Sequence, residues 1–524
     1  VTNDLRRRTG VSLPLSAIVS STSWGIGEIP DLVPMGAWLA SAGCDQLMLL
    51  PVGTMPPGQS SPYSACSAMA IDPIYVSLPA VEDFQRAGGV AELAPELRDL
   101  LVHVGQSQTV LFQSVRQLKE SALALAFECF VRDEWNHRTL RAAALAAFIA
   151  RERWWLDDYA LFQACASEWP DGSWQAWPAD VARREPAALR EVRRHLGHRI
   201  LFEQYVQWAA DEQWSRARGT LQSQAVALFG DLPFVVDGHS ADVWARQDEF
   251  LIDVSVGVPP DAFSATGQDW GLPMYRWDVI HRSGFTWLRH RARRMAALYD
   301  GFRVDHLVGF YRTYGKAPDG THFFLPPDEP TQLWQGEQVM AVFRETGADV
   351  VAEDLGTVPP FVRESITRMG VGGYKVLRWE RMWDAPGRPF VAPADYPPCS
   401  VATTGTHDTE PMPVWWDEAS MEDRMALVEV LHRAGVGQWD ANAPWTDSLR
   451  DGLLRLMGTR ASSHLFFPIQ DVFGWRDRIN TPATVGDHNW TWRLPVLIDQ
   501  WFQANVPCER AAFLRFLRTD SQLY

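Results

Sequence analysis

The feature that most limits the folds open to this chain lies between residues 286 and 475. Short apolar runs alternate there with amphipathic stretches, and several of the runs end on an acid. Leu288, Ala292, Met295 and Tyr299 recur at helical spacing, Gly301 supplies a stop, and Phe302-Arg303-Val304-Asp305 reads as a strand. The pattern then repeats. Residues 333–345 read as a helix closed by Gly347, after which Val350-Val351-Ala352 runs straight into Glu353. Val362, Ile366 and Met369 share a helical face that stops at Gly370, ahead of a strand over 374–379. A further strand, 400–404, leads through Gly405-Thr406-His407 to Asp408. Alternation of this kind predicts an α/β chain with a parallel sheet. Closed into a (β/α)8 TIM barrel, such a sheet brings the C-terminal ends of its strands to one face, where Asp305, Glu353 and Asp408 would meet.

Upstream and downstream, residues 46–52, 228–236 and 464–469 also read as strands, so seven are visible and the eighth is not. Pro51, Pro233 and Pro468 fall in these three runs. A proline cannot donate to the ladder, so each run must end or bulge at that residue if it is a barrel strand. From 79 to 225 the pattern changes to long helical runs rich in Ala, Leu and Trp, for example 110–132 and 140–155, with no strand alternation. The predicted organisation is therefore a first barrel strand and a pocket loop in 1–78, a large helical insertion in 79–225, and the rest of the barrel in 226–524. The Gly- and Pro-containing stretch 256–273 reads as an ordered loop.

Composition removes several classes of function. The 524 residues carry a formal net charge of -16 and no long run of Lys or Arg, so the chain lacks the electrostatic footprint that nucleic acid requires. No stretch approaches the roughly 18 consecutive apolar residues of a membrane span, and residues 1–12 are polar and Arg-rich, unlike a signal peptide. Six cysteines are scattered without CxxC pairing, which points away from zinc knuckles and disulfide frameworks and towards a reducing, cytoplasmic setting. Neither HExxH nor EF-hand spacing occurs, so no metal and no cofactor are expected. The chain has 25 tryptophans, an abundance that a core alone seldom demands; their faces can stack on the C–H faces of sugar rings, although most are expected in the core.

A single acid at a strand end more often caps a helix or makes a surface ion pair than does chemistry. Three of them, each closing a strand in one βα series, fit a different need. Hydrolysis or transfer at a glycosidic bond requires one acid to protonate the leaving oxygen and one carboxylate to attack or to activate water.

Ordered motifs along the chain sharpen this. They are Ser61-Pro62-Tyr63, Gly230-Asp231-Leu232-Pro233, Ser240-Ala241-Asp242-Val243-Trp244, and the run from Gly257 through Pro259-Pro260-Asp261 to Phe263-Ser264-Ala265-Thr266-Gly267-Gln268. They continue with Trp270-Gly271, Arg303-Val304-Asp305-His306, Ala352-Glu353-Asp354-Leu355-Gly356, Gly405-Thr406-His407-Asp408 and Asn480-Thr481-Pro482. In these, across nearly its whole length, the chain resembles glycoside hydrolase family 77, the 4-α-glucanotransferases known as amylomaltases or disproportionating enzymes.

The resemblance implies that Asp305 is the nucleophile of a covalent β-glucosyl enzyme, Glu353 the general acid and then base, and Asp408 the group that grips hydroxyls of a distorted sugar. Retention by two displacements needs nucleophile and acid about 5 Å apart. It also implies that Tyr63 is a stacking platform, that His407 bonds the same sugar as Asp408, and that 256–273 is a lid whose Gln268 and Trp270 touch the glucan. His306 and Asn480 are weaker candidates for substrate contact. Arg303 shares a strand face with Asp305, so its fixed charge is placed to keep that carboxylate ionised, or simply to form a structural ion pair. The implied partners are maltooligosaccharides and α-1,4-glucans. Two departures from the common family pattern stand beside the site: Thr409-Glu410 after Asp408, and Lys375-Val376-Leu377 leading into Arg378-Trp379-Glu380. An α-glucan hydrolase with the same acids, or a non-catalytic glucan-binding protein, are the alternatives.

Overall fold

Eight short strands close into a parallel barrel in the computed structural model, which describes residues 7–260, 267–482, 484, 486 and 488–520. In chain order the strands are β1 (Arg8–Leu13), β2 (Gln46–Leu49), β3 (Ala227–Leu232), β4 (Phe250–Val258), β5 (Gln268–Tyr275) and β6 (Gly301–Val304). They continue as β7 (Thr313–Lys316), β8 (His322–Leu325), β9 (Asp349–Ala352), β10 (Gly372–Val376), β11 (Ser400–Thr403) and β12 (His464–Pro468). The barrel runs β1-β12-β11-β10-β9-β6-β3-β2, and β5-β4-β7-β8 form a separate four-stranded sheet.

All seven barrel strands read from the sequence are present. The eighth is β1, inside the stretch whose polar residues hid it. Val11 and Leu13 are buried, but β1 owes its strand form mainly to its neighbours: Gly10 pairs with Gln46 on one side and Phe466 on the other. A Cβ at Gly10 would sit 2.2 Å from the Gln46 carbonyl oxygen, so the close approach requires glycine. Pro51 and Pro233 fall just beyond β2 and β3, and Pro468 is the last residue of β12, so none interrupts a ladder.

The loop reading of 256–273 is corrected. Its two ends belong to β4 and β5, an antiparallel pair in which Val256 faces Leu272 and Val258 faces Gln268. Irregular register next to Gly257 is what the glycines mark, bulges within strands instead of a structureless connection. Asp261 and the motif Phe263 to Thr266 lie outside the described residues.

Met48, Phe229, Val351, Tyr374, Val376, Val401 and Phe466 pack together as one cluster, supplied by six different barrel strands. The barrel interior is thus a packed core and not a pore. A second, larger cluster lies between strands and helices. Between β2 and β3 the principal elements are helices, among them Pro95–Gln106, Phe112–Phe130, Leu140–Glu168 and Gly197–Ser223. Of the tryptophans only Trp334 and Trp383 are exposed, so their abundance serves packing first. No helix among the described residues is long and apolar enough to cross a membrane.

Candidate active site

The register of three neighbouring strands builds the centre of the site. Asp231 of β3 pairs with Arg303 of β6, which pairs with Val351 of β9, so all three share one face of the sheet. Two residues below Arg303 is Gly301, where a Cβ would lie 2.5 Å from the Phe229 ring. The interior is full at that level, and the polar side chains occupy the layer above it.

There the Arg303 guanidinium holds three carboxylates. Its Nη1 donates to Asp231 Oδ1 at 2.8 Å and Oδ2 at 2.7 Å, and lies 2.8 Å from Asp305 Oδ1. Its Nη2 is 4.0 Å from Glu353 Oε2. The barrel ladder extends one residue past the strands to place both acids, with Asp305 N donating to Leu232 O and Glu353 N to Val304 O. Burial works downward on the Arg303 pKa, but Asp231 and Asp305 more than offset it and hold it well above the ordinary value. Asp231 was assigned no role from the sequence. It lies inside the run 228–236 read as a strand and not at its end, so the signal that flagged the other acids was absent.

Glu353 sits in a different environment from Asp305. Its Oε2 accepts from His306 N at 2.8 Å and its Oε1 from Leu355 N at 3.0 Å, which fixes the carboxyl in one orientation. Burial pushes its pKa up to about 7; the Arg303 charge opposes the rise and the Asp305 anion adds to it. His306 adopts φ 44°, a left-handed conformation that costs a non-glycine residue strain, and this places its N–H under Glu353. Its ring, which burial holds uncharged by lowering its pKa to about 4, meets the edge of Trp270 at 4.9 Å between centroids. Trp270 Nε1 in turn donates to Gln268 Oε1 at 3.2 Å. The backbone of His306, more than its imidazole, therefore touches the acid.

Asp408 belongs to a second set of contacts. Asn480 Nδ2 donates to its Oδ1 at 2.6 Å, and His407 Nε2 lies 3.4 Å from its Oδ2. Burial works upward on its pKa, yet His407 and Asn480 hold it down at about 2. Tyr63 joins the two halves of the site. Its ring stacks on His407 with centroids 5.1 Å apart, and its hydroxyl donates to Asp231 Oδ2 at 2.6 Å. Trp490, which no sequence signal marked, closes the same aromatic group at 5.8 Å from Tyr63 and 5.7 Å from His407. The structure thus brings together Tyr63, Gln268, Trp270, Arg303, Asp305, His306, Glu353, His407, Asp408 and Asn480 through direct contacts and through Asp231. Among the described residues no three His, Cys, Asp or Glu side chains are grouped as metal ligands would be.

The two departures in sequence meet each other. Arg378 Nη1 lies 2.5 Å from Glu410 Oε1, and Arg478 Nη1 lies 3.6 Å from Glu410 Oε2 while its Nη2 donates to the Asp408 carbonyl at 2.8 Å. Glu410 therefore braces the segment that carries Asp408. Arg378 is only 3% exposed, so Glu410→Gln would remove the closest carboxylate from a buried cation and leave Asp471 as its remaining anionic neighbour. We expect a loss on the order of 3 kcal/mol in urea unfolding, together with a lower turnover; unfolding that matches the parent chain would show that the cluster does not stabilise the fold.

The family model described as 4-alpha-glucanotransferase, Glyco_hydro_77, matches residues 13–499. The chain belongs to glycoside hydrolase family 77. A 4-alpha-glucanotransferase of Thermus thermophilus is 31% identical over 481 residues, covering 87% of this chain and 89% of that protein. Its counterpart in Synechocystis sp. is 30% identical over 524 residues, covering 96% of each. In fold, this family-77 chain is similar to an amylomaltase from Streptococcus agalactiae in complex with acarbose, with a TM-score of 0.82, 24% identity and 99% of each chain covered. Its activity class is that of the family, 4-α-glucanotransfer.

Proposed function

We propose that the chain cleaves an α-1,4 bond of a maltooligosaccharide or longer glucan by a retaining double displacement and passes the glucanosyl unit to the 4-hydroxyl of glucose or another glucan. The observation that carries this reading is the shared guanidinium: Arg303 lies 2.8 Å from Asp305 and 4.0 Å from Glu353, while burial favours the protonated form of Glu353. Asp305 attacks the anomeric carbon. The bond to the leaving oxygen breaks as Glu353 gives that oxygen its proton. Glu353, now ionised, takes the proton from an acceptor hydroxyl, whose oxygen displaces Asp305 and restores the α configuration.

The other roles follow from chemistry in reach. Asp408, ionised and oriented by His407 and Asn480, accepts bonds from sugar hydroxyls, and Tyr63 offers a ring face to the adjacent sugar. Trp270 and Gln268 line the side of the pocket nearest Glu353, where the leaving and accepting sugars stand, and His306 supports them. A cytoplasmic, reducing setting is supported by six cysteines that are all free. Incubation with maltotriose alone is the direct test. Transfer yields glucose together with a ladder of longer oligosaccharides, whereas a mixture containing only shorter sugars would favour the hydrolase reading.

A further inference from the structure

The four-stranded sheet beside the barrel has two faces with different occupants. Val256 and Met274 are buried, and a Cβ at Gly315 would meet Met274 Sδ at 2.9 Å, so this face packs inward. The opposite face is set by register. Gly257 of β4 lies between Tyr314 of β7 and Asp269 of β5 in one cross-strand row, and Ser255, Lys316 and His322 form the next row. Residues directly opposite one another share a face. Trp270 follows Asp269, and strand alternation turns it the other way, to the side where it meets His306.

The outer face forms a trough because Gly257 contributes no side chain to the middle of its row. A Cβ there would lie 2.0 Å from the Gln268 carbonyl oxygen, so the floor stays bare. The groove holds a volume of about 230 Å³ and is open to solvent. Tyr314 and His322 stand along it as a stacked pair, centroids 5.4 Å apart at 23°, with the Tyr314 hydroxyl 2.9 Å from His322 Nδ1. Lys316 and Asp269, 3.2 Å apart and each close to half exposed, offer a donor and an acceptor at the rim.

We propose that this trough is a second glucan-binding site, which adjoins the catalytic pocket at Gln268. The inference rests on the α-glucan reading of the active site. The chemistry on the page suits a neutral sugar polymer: flat ring faces for the C–H surfaces of glucosyl units, and rim groups of both hydrogen-bonding senses for their hydroxyls. A long chain held there raises the local concentration of its remaining length at the catalytic pocket. A trisaccharide is too short to gain from this.

The test compares two substrates in one set of variants. Tyr314→Ala and His322→Ala are expected to weaken retardation in gels containing linear amylose by about three- to tenfold and to raise KM for amylose. Disproportionation of maltotriose should proceed at the parent rate, which also reports that the variants are folded. Tyr314→Phe keeps the ring and should keep the binding. Unchanged retardation in both alanine variants overturns the proposal, and so does an equal loss on maltotriose, since the trough would then be part of the catalytic groove. If the parent chain binds amylose through the trough but makes no ladder from maltotriose, the transfer reading fails while this one stands.

Discussion

Asp305→Asn is expected to lower turnover by about 10⁴-fold or more while glucan binding stays near the parent affinity. The substitution keeps the shape of the side chain and removes the negative charge and the nucleophilic oxygen. Arg303 remains anchored, because its two bonds to Asp231 do not involve residue 305. The pocket should therefore stay assembled, and Asp408, Tyr63 and Asn480 should still hold a sugar. Calorimetric titration with a maltooligosaccharide measures the binding, and product analysis measures the rate. Near-normal turnover in this variant would remove Asp305 as the nucleophile; a collapse of affinity would make it a binding residue instead.

The second large effect concerns Glu353. Glu353→Gln cannot donate a proton, and loss of a general acid typically costs about 10²- to 10⁴-fold on a sugar leaving group. An activated aryl glucoside leaves without protonation, so the variant should retain much of its reaction with that donor. Equal losses on both donors would sink the assignment. A pH profile gives an independent check. Glu353 titrates above the ordinary carboxylate value, at about 7, so the protonated form needed for the first step is present below that pH and falls away above it. Asp408, at about 2, does not titrate in the working range. The alkaline limb of the rate should therefore carry Glu353 together with His407, whose pKa Asp408 raises, and the Glu353 part should be absent from the variant's reaction with the aryl donor.

Much of the site was legible before any coordinates because its signals are local. Asp305 and Glu353 each follow an apolar run directly, and the C-terminal end of a barrel strand is where such acids converge. Asp231 lies inside the run 228–236 instead of at its end, so it stood in the sequence only as a motif residue. Trp490 carried none: its value lies in standing near Tyr63 and His407, which come from distant stretches of chain. Glu410 and Arg378 were visible only as departures from a pattern, and nothing in either position announced that they pair.

The sequence by itself determined the βα alternation, seven of the eight barrel strands, the helical stretch between β2 and β3, and the family. Periodicity, turn residues and motif order are properties of neighbouring positions, so no fold is needed to read them. Only the tertiary structure decided that residues 8–13 form a strand, that β4 and β5 pair across the stretch read as a loop, and that Arg303 bonds to Asp231, 72 positions away. In each case the deciding free energy comes from a partner remote in the chain: a ladder neighbour that satisfies backbone groups, or a counter-charge that makes burial of an ion tolerable.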